Sequence, residues 1–202
     1  MDALSLLKKD HKTVEALFKQ FEQLGDRAVK ARKKVVEKII LELSIHASVE
    51  ETVFYPAVRA TAKKVDAGEA DDEILEALEE HHIVKWTLSE LEKMSAGDER
   101  FEAKVTVLIE SVRHHVKEEE QELFKSVRKL FAPEELKALG LAMAKAKLVA
   151  PTHPHPRAPD QPPGNIVVGA VSAAFDRGMD AVKQVASRVR GKRDRQAEQS
   201  VH

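Results

Sequence analysis

Four histidines stand at nearly equal intervals in this chain: His11, His46, His81 and His115, separated by 35, 35 and 34 residues. Two of them carry a glutamate four residues on. Residues 46–55 read H-A-S-V-E-E-T-V-F-Y and residues 115–124 read H-V-K-E-E-E-Q-E-L-F, both fitting H-x3-E-E-x2-[FL]-[YF]. Residues four apart share a helix face, so His46 with Glu50, and His115 with Glu119, can point at one atom. An isolated histidine on an apolar helical stripe is usually a hydrogen-bonded core residue. An isolated His/Glu pair is usually surface decoration. Four histidines at matching height and a repeated pair speak instead for a metal site. Buried carboxylates are costly without a cation beside them. His11, His46, Glu50, His81, His115 and Glu119 make six candidate ligands, more than one closed tetrahedral zinc needs. Carboxylates can bridge two cations, so the set predicts a symmetric dinuclear site with two histidines per metal. An oxide or hydroxide would balance the remaining charge and leave positions for small molecules. Imidazole and carboxylate suit iron, manganese or zinc.

The neighbours compete. His82 stands beside His81 and His114 beside His115; Glu15 pairs with His11 at the same four-residue spacing. The repeat decides between them. An offset of 69 places His46, Glu50 and Tyr55 on His115, Glu119 and Phe124, and an offset of 70 places His11, Val14 and Phe18 on His81, Val84 and Leu88. Glu15 falls on Lys85 and gains no support.

The elements that must position these groups follow from apolar periodicity. Leu4, Leu7, His11, Val14, Phe18 and Phe21 form one stripe over residues 3–24; Val35, Ile39, Leu43, His46 and Val53 a second over 28–60, with Pro56 placed to kink it. Residues 64–72 read as a loop. Ile74, Leu78, His81, Leu88 and Leu91 mark a third helix over 73–94, and Val105, Leu108, Val112, His115 and Leu123 a fourth over 101–131. Pro133 opens a short fifth helix to about residue 148. Short connections predict an all-α, up-down-up-down four-helix bundle. Equal ligand spacing in alternating helices puts the site at mid-height.

The pieces D-H-K-T-V-E-A-L-F (10–18), H-A-S-V-E-E-T-V-F-Y-P (46–56), E-H-H-I-V-K (80–85) and H-V-K-E-E-E-Q-E-L-F (115–124) together resemble the hemerythrin-like, or HHE cation-binding, family over about residues 1–131. The resemblance implies a four-helix bundle holding two non-haem iron ions, oxo- or hydroxo-bridged, on His11, His46, Glu50, His81, His115 and Glu119. It implies binding of, or reaction with, dioxygen, hydrogen peroxide or nitric oxide, as a peroxide- or nitric-oxide-consuming oxidoreductase in oxidative or nitrosative stress. The alternative it implies is a non-catalytic oxygen or iron sensor. Oxygen-carrying hemerythrins have a further histidine where this chain has Lys85, and end on H-x4-D where this chain has Glu120. The pattern is closer to bacterial proteins of the H-HxxxE-H-HxxxE kind, and fewer nitrogen ligands favour redox turnover over stable oxygen carriage. Tyr55 lies nearly opposite His46 on a straight helix, but a kink ahead of Pro56 would turn its phenolate inward to fill the vacant position.

Composition bounds the rest. Charged residues make up 33% of the 202 and aromatics 4%, which favours helices with polar outer faces. A net charge of −1 gives no basic field for nucleic acid. The chain has no cysteine, excluding thiolate sites and suiting the cytoplasm. No apolar run has transmembrane or signal-peptide character. The predicted organisation is a bundle over 1–148, a proline-rich linker over 149–165 that is extended rather than packed, an amphipathic basic helix over 166–191 and a disordered tail over 192–202. His153 and His155 read as solvated linker residues. The amphipathic segment offers a surface for self-association; its mainly valine and alanine side chains argue against membrane contact.

Overall fold

The computed structural model describes residues 1–25, 27–159 and Asp176. Among them α1 spans Ala3–Glu22, α2 Val29–Val49, α3 Tyr55–Lys64, α4 Gly68–Lys93, α5 Phe101–Glu118, α6 Phe124–Leu130 and α7 Pro133–Lys147. Two π-helical turns, Glu50–Phe54 and Glu119–Leu123, join α2 to α3 and α5 to α6 without a break. Four rods result, and they form the all-α four-helix bundle that the stripes predict. Neighbours round the bundle are α1 with α2, α2 with α4, and α4 with α5, while α7 lies across α1, α2 and the first π turn. The described residues contain no helix long and apolar enough to cross a membrane.

Local chemistry sets the ends. The Asp2 carboxylate accepts from the Ser5 amide at 2.9 Å and caps α1. Lys33 Nζ donates to the carbonyls of Leu91, Glu92 and Met94 at the end of α4, as a cation at a helix C-terminus should. The loop expected over 64–72 is shorter: α4 begins at Gly68. Asp66 takes a left-handed φ of 55° and the Ala67 amide reaches back to the Ala62 carbonyl at 3.0 Å, so the reversal is complete in three residues. Glu69 and Asp71 then suit the first turn of α4.

The π turns share a position in the two halves, 69 residues apart, and each opens on the glutamate of a His/Glu pair. A π turn rotates less per residue than an α turn. Pro56 follows the first, but Lys125 stands at the matching place after the second, so proline is not their common cause. Two apolar clusters lie above and below the histidines. One holds Leu7, Phe54, Ile74, Leu78, Phe124 and Met143; the other holds Val14, Phe18, Ile39, Leu43, Leu88 and Leu108. Each fully buried side chain of this size contributes about 1.5–3 kcal/mol, and this apolar packing holds the polar layer between them at mid-height.

The linker differs from its expectation over its described part. Ala150, Pro151 and Pro154 are buried. The Asp176 carboxylate accepts from the amides of Thr152 and His153 at 3.1 and 3.2 Å and lies 3.0 Å from His155 Nε2. His153 Nδ1 pairs with Glu92. Proline content fixes stiffness, not whether a surface covers the chain. The segments 166–191 and 192–202, Asp176 apart, lie outside the described residues.

Candidate metal centre

All six candidate ligands are buried at the bundle's mid-height. One ligand atom each from His11, His46, Glu50 and Glu119 lies within 4.8 Å of the other three, and the same holds for Glu50, His81 and His115. Glu50 belongs to both groups. Its Oε2 is 3.1 Å from His46 Nε2 and 3.3 Å from His81 Nε2. Glu119 Oε2 is 3.2 Å from His11 Nε2, and His81 Nε2 is 3.3 Å from His115 Nε2. The Nε2 atoms of His11 and His46, both Glu50 oxygens and Glu119 Oε2 are buried without a hydrogen-bond partner. A buried polar atom left unsatisfied costs about 1–3 kcal/mol, and five in one small space is a donor set built for cations. The residues fit a metal.

Behind each imidazole stands a carboxylate from a neighbouring rod. His11 Nδ1 is 2.9 Å from Glu120 Oε1, His81 Nδ1 3.1 Å from Glu51 Oε1, and His115 Nδ1 2.7 Å from Glu80 Oε2. His46 Nδ1 lies 3.8 Å from Asp10 Oδ2. The three hydrogen bonds turn Nε2 of His11, His81 and His115 inward and favour the tautomer that can bind a metal, while Asp10 gives His46 only a longer electrostatic contact. A cation grips three of the four carboxylates in turn. Lys147 meets Asp10 at 2.6 Å, Lys85 meets Glu51 at 2.8 Å, and Lys8 meets Glu120 at 3.3 Å. Burial opposes ionisation of these four carboxyls, yet each is held below the usual carboxylate range by its imidazole and, for Asp10, Glu51 and Glu120, by its lysine.

The inner groups are pushed apart. Burial lowers the His46 pKa to about 4, keeping the ring neutral and ready to ligate. Burial works against charge on His11 too, but Glu119, Glu50 and Glu120 raise its pKa to about 9. Burial and the like charge of Glu119 push Glu50 well up. Glu119 goes down, because His11, His115 and His46 outweigh its burial.

The alternative ligands are sorted by the same geometry. Tyr55 is buried and turned inward, its Oη 3.5 Å from both His81 Nε2 and Glu119 Oε1. The π turn at Glu50–Phe54 lies between it and His46 and lessens the rotation that a straight helix would put between them. Glu120 faces the outer nitrogen of His11. Glu15 pairs with Arg113 at 3.0 Å, away from the centre, and His82 is exposed. His114 is 61% exposed and meets Glu118 and Glu80. Sequence reading missed Asp10, Glu51 and Glu80 as imidazole partners. The signal was present: Asp10 maps on Glu80 at the offset of 70, and Glu51 on Glu120 at 69.

The model of the hemerythrin HHE cation binding domain matches residues 2–127, and the chain belongs to that family. It is 29% identical, over 87% of its length and 84% of the relative's, to an uncharacterized hemerythrin-like protein of Schizosaccharomyces pombe. It is also 29% identical to a DNA nickase of a Nostoc species, over 73% of this chain but only 40% of that protein. A crystal structure of a hemerythrin HHE cation binding domain-containing protein from Mycobacterium kansasii superposes with a TM-score of 0.61. That match has 23% identity and covers 73% of this chain and 86% of the other, and it supports the bundle. The chain is thus a hemerythrin-like cation-binding domain whose His/Glu groups could hold metal.

Proposed function

We propose that this centre holds two iron ions and that the protein binds or reduces dioxygen, hydrogen peroxide or nitric oxide in the cytoplasm. The observation that carries the reading is the pair of buried ligand groups that share Glu50. His11, His46 and Glu119 would hold one ion and His81 and His115 the other, with Glu50 in reach of both. Ligand chemistry alone admits manganese or zinc; the family favours iron. Bound iron supplies open coordination positions and electrons for a small oxidant. The chain's own groups do the rest. The apolar clusters keep bulk water out and the outer carboxylates aim the imidazoles. The Tyr55 phenol, held protonated by burial in the metal-free chain, has its Oη 3.5 Å from Glu119, within reach of a bound cation that would take the place of its proton.

Metal content by plasma mass spectrometry, on protein expressed with iron supplied, tests this. Two irons per chain are expected. A folded chain without metal overturns the reading.

A second reading has one observation behind it. The segment that leads to the C-terminal part packs on the bundle beside Glu51 and Lys85, lining a small cavity with Ser44 and Ser48. Since Glu51 grips His81, filling the centre would be felt at that segment, as a sensor of iron or oxygen requires. On this reading the bundle over 1–148 holds the iron and residues 166–191 carry the response. Peroxide turnover that disappears in His46→Ala favours the first reading. Absent turnover, with iron-dependent protease protection of residues 150–159, favours the second.

A further inference from the structure

Among the described residues, a groove and a smaller cavity each reach candidate ligands, and their charges differ. A groove of about 470 Å³ between α1 and α5 reaches His11, and its rim carries Lys12, Lys19, Arg113 and Lys117 against Glu15 and Glu120. A smaller cavity of about 50 Å³ between α4 and the second π turn is lined by Glu73, Glu76, Glu80, Glu118 and Glu122, with no lysine or arginine. Its inner wall is His115 and Glu119, two of the candidate ligands. The Glu119 side chain is 1% exposed and its Oε2 has no hydrogen-bond partner. An acid-lined cavity thus has two of the buried candidate ligands in its wall. At the outer end, ligand atoms of Glu80, His114 and Glu118 lie within 4.8 Å of one another. His114 Nε2 is 3.2 Å from Glu118 Oε1 and 3.8 Å from Glu80 Oε1. Glu80 serves both ends, because its other oxygen is 2.7 Å from His115 Nδ1.

We propose that this cavity is the cation port of the centre, and that Glu80, His114 and Glu118 form an outer site where a divalent first-row cation pauses before passing inward. The proposal rests on the metal reading of the buried centre. The mixed imidazole and carboxylate donors suit such an ion. Low-dielectric walls lined by one sign of charge concentrate the opposite ion and speed its capture. The basic rim of the α1/α5 groove works against a cation there, which leaves the acidic face as the route for metal.

The test uses the full chain stripped of metal and mixed with ferrous iron without oxygen. Samples are quenched with a strong chelator over time, and protein-bound iron is counted. Both His114 and Glu118 are accessible, so the double variant His114→Ala/Glu118→Gln should fold. Its uptake is expected to be roughly tenfold slower, with the same final iron content as the wild type. Glu134→Gln, which removes one charge far from the cavity, should load at the wild-type rate. Equal rates for the double variant and the wild type overturn the port while leaving the centre in place. A double variant that loads quickly but holds less iron at the end also overturns it, since these residues would then be supports of the centre. A wild-type chain that takes up no iron overturns the centre itself and the port with it.

Discussion

Lys85 stands four residues after His81, where a further imidazole would have reached the centre. Its buried ammonium instead holds Glu51, which holds His81. Lys85 thus stiffens a candidate ligand through Glu51. Glu51→Gln leaves the His81 ring without its anion and should weaken iron binding about 10–100-fold, read by competition with a chelator of known affinity. Full affinity in that variant would mean that Glu51 serves only to neutralise Lys85. Tyr55 makes the two halves unequal, because Phe124 holds the matching position and stacks 6.3 Å from His11. The iron-loaded protein should be coloured by phenolate-to-iron charge transfer. Tyr55→Phe should lose that visible band and keep both irons. An unchanged spectrum would leave Tyr55 as a core side chain.

At the scale of elements, the four rods were legible because burial writes a 3.6-residue period into the sequence. The equal histidine spacing gave their common height. The π turns were not legible: H-x3-E reads the same in either helix type, and only the backbone over Glu50–Phe54 and Glu119–Leu123 reveals the wider turn. The outer carboxylates were overlooked for a different reason, although the repeat marks them. Asp10, Glu51 and Glu80 flank the apolar stripes, and a charged residue there reads as the start of the solvent face. The fifth helix was legible in extent but not in task. Gly140 brings α7 onto the start of α1, where an added Cβ would come within 2.6 Å of backbone atoms of Met1 and Asp2. The same helix carries Lys147 to Asp10. Gly140→Ala should therefore destabilise the protein by about 1–3 kcal/mol, measured by denaturant unfolding. A neutral result would show that α7 shifts freely on the bundle.

For the whole molecule, the buried charges set a pH optimum for the metal-free protein. The His11 pKa is raised from 6.5 to about 9, so its contribution is complete below about 6.5 and is lost as the pH rises through 9. The raised Glu50 acts in the same direction. His46, lowered from 6.5 to about 4, removes stability as the pH falls from 6.5 toward 4. Thermal unfolding of the stripped protein should be highest between about pH 4.5 and 6.5, where the opposite slopes of Glu50 and His46 offset each other, and fall on both sides. Iron should flatten the alkaline side, because it takes the place of the His11 proton and neutralises Glu50. A stripped protein equally stable at pH 6.5 and 9 would contradict the ionised His11–Glu119 pair.

The four imidazole–carboxylate contacts also run in one rotational sense. Asp10 on α1 serves His46 on α2, Glu51 on that rod serves His81 on α4, Glu80 on α4 serves His115 on α5, and Glu120 returns to His11 on α1. Leucine and valine stripes pack as readily in a left-turning bundle as in its right-turning counterpart. A directed loop of polar contacts does not, since reversing the order of the helices would put every carboxylate on the wrong side of its ring. The handedness of the fold is therefore chosen by the same atoms that aim the ligands.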